Sequence, residues 1–195
     1  MISSGDALKS LAIEAALSPQ EEKLEVGQKK QKLYIGIPKE TEFQEQRVAL
    51  VPQSVGLLIA NGHKVVVETG AGINANFSDN DYSEAGAEIA YDTQEIYKAD
   101  IILKVTPPNE NEINMMKHKQ ILFSALQLTV QPKSALKKLM DKKITAIAWD
   151  YIEDEGGSFP VIRSMGEIAG TTAFLIAAEL MSNANEGKGL MLGGV

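Results

Sequence analysis

Short apolar runs rich in β-branched residues alternate along the chain with longer amphipathic stretches, from Leu33 onward. Short runs of this kind are typical of buried strands, and the longer stretches repeat apolar residues at helical spacing. The pattern predicts six strands, at 33–37, 64–68, 88–90, 101–105, 121–125 and 144–149. It predicts helices at 54–60, 82–87, 93–98, 110–116 and 132–142, and a longer one at 165–181.

Strands that alternate with helices at this spacing predict a parallel sheet that is covered by helices on both faces. We therefore predict an α/β fold with a Rossmann-like (flavodoxin-like) parallel sheet, followed by the long helix. Residues 1–32 form an extension that we predict to be partly helical, because Ser18 and Pro19 suit the start of a helix.

The balance of charged and sulfur-containing residues excludes several kinds of site and partner. The chain has 26 acidic and 19 basic side chains and a net charge of −7, which argues against nucleic acid or an anionic membrane as a partner. It has no cysteine, which excludes zinc–thiolate sites and fits a cytoplasmic location. The apolar stretch from Ile168 to Met181 is short and contains Glu179, so we predict no membrane span.

Polar residues at the predicted carboxyl ends of the strands are candidates for ligand binding, because open parallel sheets bind ligands at that edge. They are Arg47, Lys104, Gln127, Trp149 and Asp150. Arg47 and Lys104 together would suit a small carboxylate, which arginine can bind through two parallel hydrogen bonds. Two plainer interpretations stay open: Lys104 extends its ammonium to solvent or to an acid, and Arg47 is solvated in a polar loop.

Two glycine-rich segments match nucleotide-binding motifs only formally. Residues 70–75 fit G-x-G-x-x-A after a strand, but loop residues follow where a dinucleotide fingerprint opens a helix. We predict that this segment does not bind a dinucleotide. Residues 187–189 lack the hydroxyl residue of a phosphate-binding loop. The acidic residues of 150–155 predict a solvated loop, and a divalent-cation site there is the alternative. We predict no metal centre in the chain.

A series of collinear motifs runs from about residue 33 to the end of the chain. The motifs are IGIPKE at 35–40, RVALVP at 47–52, ETGAG at 68–72, Tyr82 with AGA at 85–87, ILKV at 102–105, ITAIA at 144–148, Met165 with EIAG at 167–170, and the glycines of 187–195. Together they resemble the alanine dehydrogenase and pyridine nucleotide transhydrogenase family, and the long helix is most similar to the dehydrogenase branch.

The resemblance implies the substrate-binding N-terminal portion of an NAD-dependent oxidoreductase that interconverts L-alanine with pyruvate and ammonium. It implies that 33–160 is an incomplete substrate-binding domain. Residues 161–195 would then be an interdomain helix with the glycine-rich start of an absent NAD-binding domain. The implied whole protein is a cytoplasmic homo-oligomer whose partner is a small 2-amino or 2-oxo acid.

The resemblance also implies roles for individual residues. Arg47 and Lys104 would hold the carboxylate and carbonyl oxygen of the substrate, and Met165 and Gly166 would lie near the nicotinamide, where the family has serine in place of Gly166. Gln127 stands where the family's dehydrogenases carry a proton-donating histidine, so it would orient substrate or water instead.

Two other functions stay open on the sequence. One is the alpha-type subunit of an NAD(P) transhydrogenase, since these proteins also lack the histidine. The other is a non-catalytic module that binds a carboxylate or serves assembly.

Overall fold

The computed structural model describes residues 32–190, so the predicted helix near Ser18 lies outside the described residues. A compact unit begins at Tyr34. Its strands are β1 (Tyr34–Ile37), β2 (Lys64–Glu68), β3 (Glu88–Ala90), β4 (Ile101–Leu103), β5 (Ile121–Ser124) and β6 (Thr145–Ala148). Its helices are α1 (Pro52–Ala60), α2 (Asp79–Glu84), α3 (Thr93–Ile96), α4 (Glu110–Met115), α5 (Lys133–Asp141) and α6 (Pro160–Met181).

All six strands form one parallel sheet in the order β3-β2-β1-β4-β5-β6. This confirms the predicted parallel α/β fold, and the order is that of the Rossmann fold and not the flavodoxin order 2-1-3-4-5. The strands β1 and β4 lie side by side, and the chain leaves them toward opposite edges of the sheet. Their carboxyl ends therefore form the crevice in which such folds bind ligands.

The strands occupy the predicted positions to within two residues at each end, but three helices begin earlier than predicted: α1 by two residues, α2 by three and α6 by five. Helix α2 begins at Asp79 because Ser78 and Asp81 form a reciprocal capping box, and it ends before the Ala-Gly-Ala turn that we assigned to it. Helix α6 begins at Pro160, whose fixed backbone angle suits the first helical turn.

The sheet is buried on both faces at β1 and β2, which accounts for their continuous apolar residues. Strands β4 and β5 are buried on one face and half-buried on the other, and the edge strand β6 is largely exposed. Val66, Ile102 and Leu122 of three different strands lie in one core cluster with residues of the covering helices. Gly36 in β1 permits the closest contact, because a Cβ atom there would lie 2.6 Å from the carbonyl oxygen of Ile96. A side chain at this position would push α3 away from the centre of the sheet.

Helix α6 differs from the other helices because it has no buried residue among its 22. Large apolar side chains such as Ile168, Leu175 and Leu180 are more than 60% exposed. By length and composition alone the helix could cross a membrane, because it begins eight residues before the apolar stretch on which the prediction of no span rested. The core helices of soluble proteins meet the same criterion, so it does not by itself indicate a membrane span.

The buried hydroxyl of Tyr82 determines part of the response of this fold to alkaline pH. It donates a hydrogen bond to the carbonyl oxygen of Leu50 at 2.8 Å. Burial, together with the charge of Asp81, raises the pKa of Tyr82 to about 12. The corresponding pKa in an unfolded chain is about 10. The neutral phenol therefore stabilises the fold fully below about pH 10, and this stabilisation is lost as the pH rises through about 12.

We expect some of the tyrosines to ionise only together with alkaline unfolding, as followed by phenolate absorbance and circular dichroism. Tyr82→Phe should move the alkaline unfolding midpoint to higher pH, because position 82 then has no phenol to deprotonate. Tyr91→Phe is the control, since Tyr91 is highly exposed, and should leave the midpoint unchanged. Complete ionisation of the tyrosines while the fold remains intact would contradict this explanation.

Candidate functional site

A cavity of about 350 Å³ opens at the carboxyl edge of the sheet. Its two cationic residues are Arg47 and Lys104. The rest of its wall is mostly apolar and includes Leu50, Leu103, Phe123, Trp149, Val161 and Met165. A largely apolar cavity with a few converging polar groups is the usual form of a site for a small molecule.

The topology explains why residues that are far apart in sequence meet in this cavity. Arg47 lies in the loop that follows β1, Lys104 directly follows β4, and Trp149 directly follows β6. Because all strands are parallel, these positions share one edge of the sheet. Helix α6 adds Met165 to the wall.

The ammonium of Lys104 is bound by two carboxylates. Its Nζ lies 3.1 Å from Oε2 of Glu40 and 2.9 Å from Oε1 of Glu112, and the side chain of Lys104 has no exposed surface. The plainer interpretation of Lys104, in which its ammonium meets an acid, therefore describes this structure. Lys104 belongs to the wall of the cavity, but its charge points into an internal ion cluster.

Both carboxylates of this cluster are held by further donors. Glu40 accepts hydrogen bonds from the backbone N–H of Val105 at 2.6 Å and from the hydroxyl of Thr106 at 2.5 Å. Glu112 accepts the backbone N–H of Asn109 at 2.8 Å as part of the capping box of α4. These donors compensate the second negative charge, since a buried carboxylate without partners would be costly.

The guanidinium of Arg47 is held by the carboxylate of Glu45. Nε lies 2.8 Å from Oε1 and Nη2 lies 2.6 Å from Oε2, a bidentate pair. The hydrogen bonds that Arg47 donates to Glu45, followed by the charges of Glu45 and Glu40, raise the pKa of Arg47, and the same contact holds the pKa of Glu45 below its usual value. The remaining nitrogen, Nη1, faces the sulfur of Met165 at 3.8 Å.

Gln127 and Gly166 do not line the cavity. Gln127 lies in a separate depression with Asp150 and Phe159, and it adopts a left-handed backbone conformation with φ 44°. Gly166 follows Met165 on the exposed surface of α6, and a Cβ atom there would meet nothing within 4 Å. The structure thus brings Arg47, Lys104 and Met165 together and leaves the other two predicted site residues outside.

Asp150 supports the loop that carries Gln127, which the sequence did not predict, whereas residues 151–157 of the predicted solvated loop are exposed. Its carboxylate accepts the backbone N–H groups of Leu126 and Gln127, each at 3.1 Å. Asp154 in the same stretch accepts the backbone N–H groups of Gly156 and Ser158 and closes its own turn. Among residues 32–190, no group of three or more His, Cys, Asp or Glu side chains could hold a metal ion.

The glycine-rich segment at 70–75 does not have the structure of a dinucleotide site. The backbone N–H of Gly70 donates to the carboxylate of Asp79 at 2.8 Å, so an anionic group of the protein already occupies this turn. A 3₁₀ turn at Ile73–Ala75 follows in place of an α-helix, and Asn76 then adopts a φ of 63°. The segment thus opens no α-helix, as its loop residues predict.

The sequence patterns did not identify the three acids of the site, which are Glu40, Glu45 and Glu112. Each had a local signal. Glu40 stands two residues after the proline that ends β1, Glu45 stands two residues before Arg47, and Glu112 stands three residues after Asn109, the capping-box spacing. None of these signals indicates which cation the acid meets, because that depends on how the loops meet at the sheet edge.

Comparison with known proteins gives consistent matches. The family model described as alanine dehydrogenase/PNT, N-terminal domain, matches residues 36–169. The chain is 40% identical over 163 residues to the alanine dehydrogenase of Bacillus subtilis (strain 168), a match that covers 84% of this chain and 43% of the relative. It is 40% identical over 164 residues to that of Methanococcus maripaludis, covering 84% of this chain and 44% of the relative.

Solved structures show the same similarity. A structure of L-alanine dehydrogenase superposes with a TM-score of 0.77 at 37% identity, over 83% of this chain and 44% of that one. A transhydrogenase from Sinorhizobium meliloti superposes with a TM-score of 0.55 at 31% identity, over 60% of this chain and 33% of that one. The chain spans less than half the length of the curated relatives it matches. On the match to residues 36–169, the chain belongs to the alanine dehydrogenase/PNT N-terminal domain family.

Proposed function

We propose that this chain is the substrate-binding N-terminal portion of an NAD-dependent alanine dehydrogenase-like oxidoreductase. The proposed reaction converts L-alanine, NAD⁺ and water to pyruvate, ammonium, NADH and a proton. The observation that carries the proposal is the presence of Arg47 and Lys104 in the wall of one apolar cavity at the carboxyl edge of the sheet.

The proposed roles follow from the chemistry of these side chains. Arg47 binds the substrate carboxylate, because a planar guanidinium matches a carboxylate through two parallel hydrogen bonds. Lys104 polarises the carbonyl or imine as a catalytic residue, and this requires its ammonium to exchange one carboxylate partner for the substrate oxygen. Gln127 orients substrate or water, a role that rests on the family resemblance, since Gln127 lies outside the cavity lining.

In the proposed reaction, NAD⁺ would accept the hydride that alanine loses. Among the described residues, the only segment with a dinucleotide-like glycine spacing is 70–75, and its Gly70 N–H already donates to the carboxylate of Asp79. We therefore propose that NAD binds mainly through residues of a further domain. Met165 and Gly166, at the start of α6, are the residues of this chain that we propose to lie near the nicotinamide. Met165 is already in the cavity wall, next to the guanidinium of Arg47.

The exposed apolar surface of α6 supports a further protein contact, and we propose that the whole protein is a cytoplasmic homo-oligomer. An apolar helix face of this extent is expected to be covered by protein. Because the net charge of the chain is −7, we propose neither nucleic acid nor an anionic membrane as a partner.

A transhydrogenase subunit is the second candidate, because the solved transhydrogenase from Sinorhizobium meliloti shares this fold at 31% identity. Genes for membrane-spanning partner subunits next to the gene of this protein would favour it. A non-catalytic carboxylate-binding module is the third candidate, and it predicts pyruvate binding without turnover.

The test is NADH oxidation by the natural-length polypeptide with pyruvate and ammonium. We expect turnover that depends on ammonium, because the proposed reaction consumes it. A panel of larger 2-oxo acids determines the preferred substrate. No turnover with any 2-oxo acid would contradict the dehydrogenase function, and pyruvate binding would then distinguish a carboxylate-binding module from a protein with another role.

A further inference from the structure

The Arg47 guanidinium has two edges that can each bind a carboxylate, and one of them is taken by Glu45. The occupied edge consists of Nε and Nη2, at 2.8 and 2.6 Å from the two oxygens of Glu45. The other edge consists of Nη1 and the second N–H of Nη2. Nη1 lies 3.8 Å from the Met165 sulfur, which is a weak acceptor and part of the cavity wall.

We propose that Glu45 is a positioning residue, which holds the Nε edge of Arg47 so that the Nη1–Nη2 edge faces the cavity and receives the substrate carboxylate. This inference rests on the proposed function of Arg47 in carboxylate binding. It adds a residue that acts through Arg47 and touches no substrate atom itself.

Three features of Glu45 suit it to this role. Its side chain is only 9% exposed, whereas that of Arg47 is 50% exposed, so the acid is the fixed partner and the arginine the accessible one. Oε1 of Glu45 also accepts the backbone N–H of Arg47 at 2.9 Å, which ties the carboxylate to the residue that it orients. The lowered pKa of Glu45 keeps it ionised across the neutral range.

The benefit of this arrangement is an arginine that is ordered before the ligand arrives. A free arginine side chain loses rotamer freedom when it binds, and this loss weakens binding. Glu45 reduces that loss for Arg47 by fixing the guanidinium before the ligand binds. If Glu45 instead competes with the substrate carboxylate for Arg47, removing Glu45 should strengthen pyruvate binding.

The experiment compares pyruvate binding by the natural-length polypeptide and its Glu45→Gln variant, by calorimetry. We expect about 3- to 10-fold weaker pyruvate binding in the variant, the size expected for ordering one long side chain. Pyruvamide, the uncharged amide of pyruvate, should bind both proteins equally, since it offers no carboxylate to Arg47. Glu42→Gln is the matched control, because Glu42 is an exposed acid of the same loop.

A Glu45→Asp variant keeps the charge, but its side chain is too short to keep both hydrogen bonds to the guanidinium. It should therefore bind pyruvate with an affinity between those of the wild type and Glu45→Gln, and its melting temperature should be unchanged. This variant replaces Glu45→Gln if the latter fails to fold. Unchanged or tighter pyruvate binding in Glu45→Gln, with normal binding by the wild type, would overturn the positioning role alone. No pyruvate binding by the wild type would overturn both this inference and the proposed role of Arg47.

Discussion

Replacing Lys104 with alanine is expected to lower the free energy of unfolding by about 3–5 kcal/mol, the usual cost of removing one partner from a buried ion pair. The side chain of Lys104 has no exposed surface, and those of Glu40 and Glu112 are each 5% exposed. Without the ammonium, two carboxylates would remain buried close to each other. Urea unfolding followed by circular dichroism measures the loss.

A second substitution separates this charge effect from the loss of packing. Lys104→Met keeps the volume of the lysine stem but removes the ammonium. Adding Glu112→Gln to this variant removes one of the two uncompensated negative charges, and the amide oxygen of the glutamine can still accept the hydrogen bond from Asn109. We expect the double variant to be more stable than Lys104→Met alone. Lys98→Ala is the control, because Lys98 pairs with Glu95 at the surface, where an ion pair contributes little to stability.

Equal stabilities of Lys104→Met and the double variant would contradict the charge explanation. The prediction also affects the test of function, because a Lys104→Ala protein can lose activity simply by unfolding. Activity of Lys104 variants therefore has to be measured at a temperature at which circular dichroism shows the variant to be folded. A loss of turnover in a folded Lys104→Met protein is then attributable to the missing ammonium.

Replacing Arg47 with lysine is expected to weaken pyruvate binding on the order of 10- to 100-fold, although the positive charge is retained. An ammonium cannot form two parallel hydrogen bonds to a carboxylate and is more strongly hydrated than a guanidinium. Lysine would also lose the bidentate contact with Glu45. Calorimetric titration of the natural-length polypeptide with pyruvate measures the change.

The only other arginine of the chain, Arg163, serves as the matched control. It lies on α6 with its Nε 3.9 Å from Glu167, and both side chains are largely exposed. Arg163→Lys should therefore leave pyruvate affinity unchanged. Similar affinities in wild type and Arg47→Lys would rule out a bidentate role for Arg47 and leave the Lys104 side of the cavity as the anion site.

The sequence by itself determined the fold class and the region of the site. Runs such as Lys64–Glu68 predict strands correctly because a strand buried on both faces requires continuous apolar residues. Alternation of strands with helices then requires parallel pairing, which places Arg47, Lys104 and Trp149 at one sheet edge. The start of α2 was recoverable as well, since Ser78 and Asp81 have the capping-box spacing.

Only the tertiary structure decided which charges meet. The partners of Lys104 lie 64 and 8 residues away in sequence, and no local pattern distinguishes Glu40 and Glu112 from solvated acids. The separation of Gln127 from the cavity likewise depends on backbone hydrogen bonds to Asp150, 23 residues further along the chain. Local sequence determines helices, strands and caps because their hydrogen bonds and apolar periodicity are local, whereas an ion cluster depends on loop paths that are set by packing across the whole sheet.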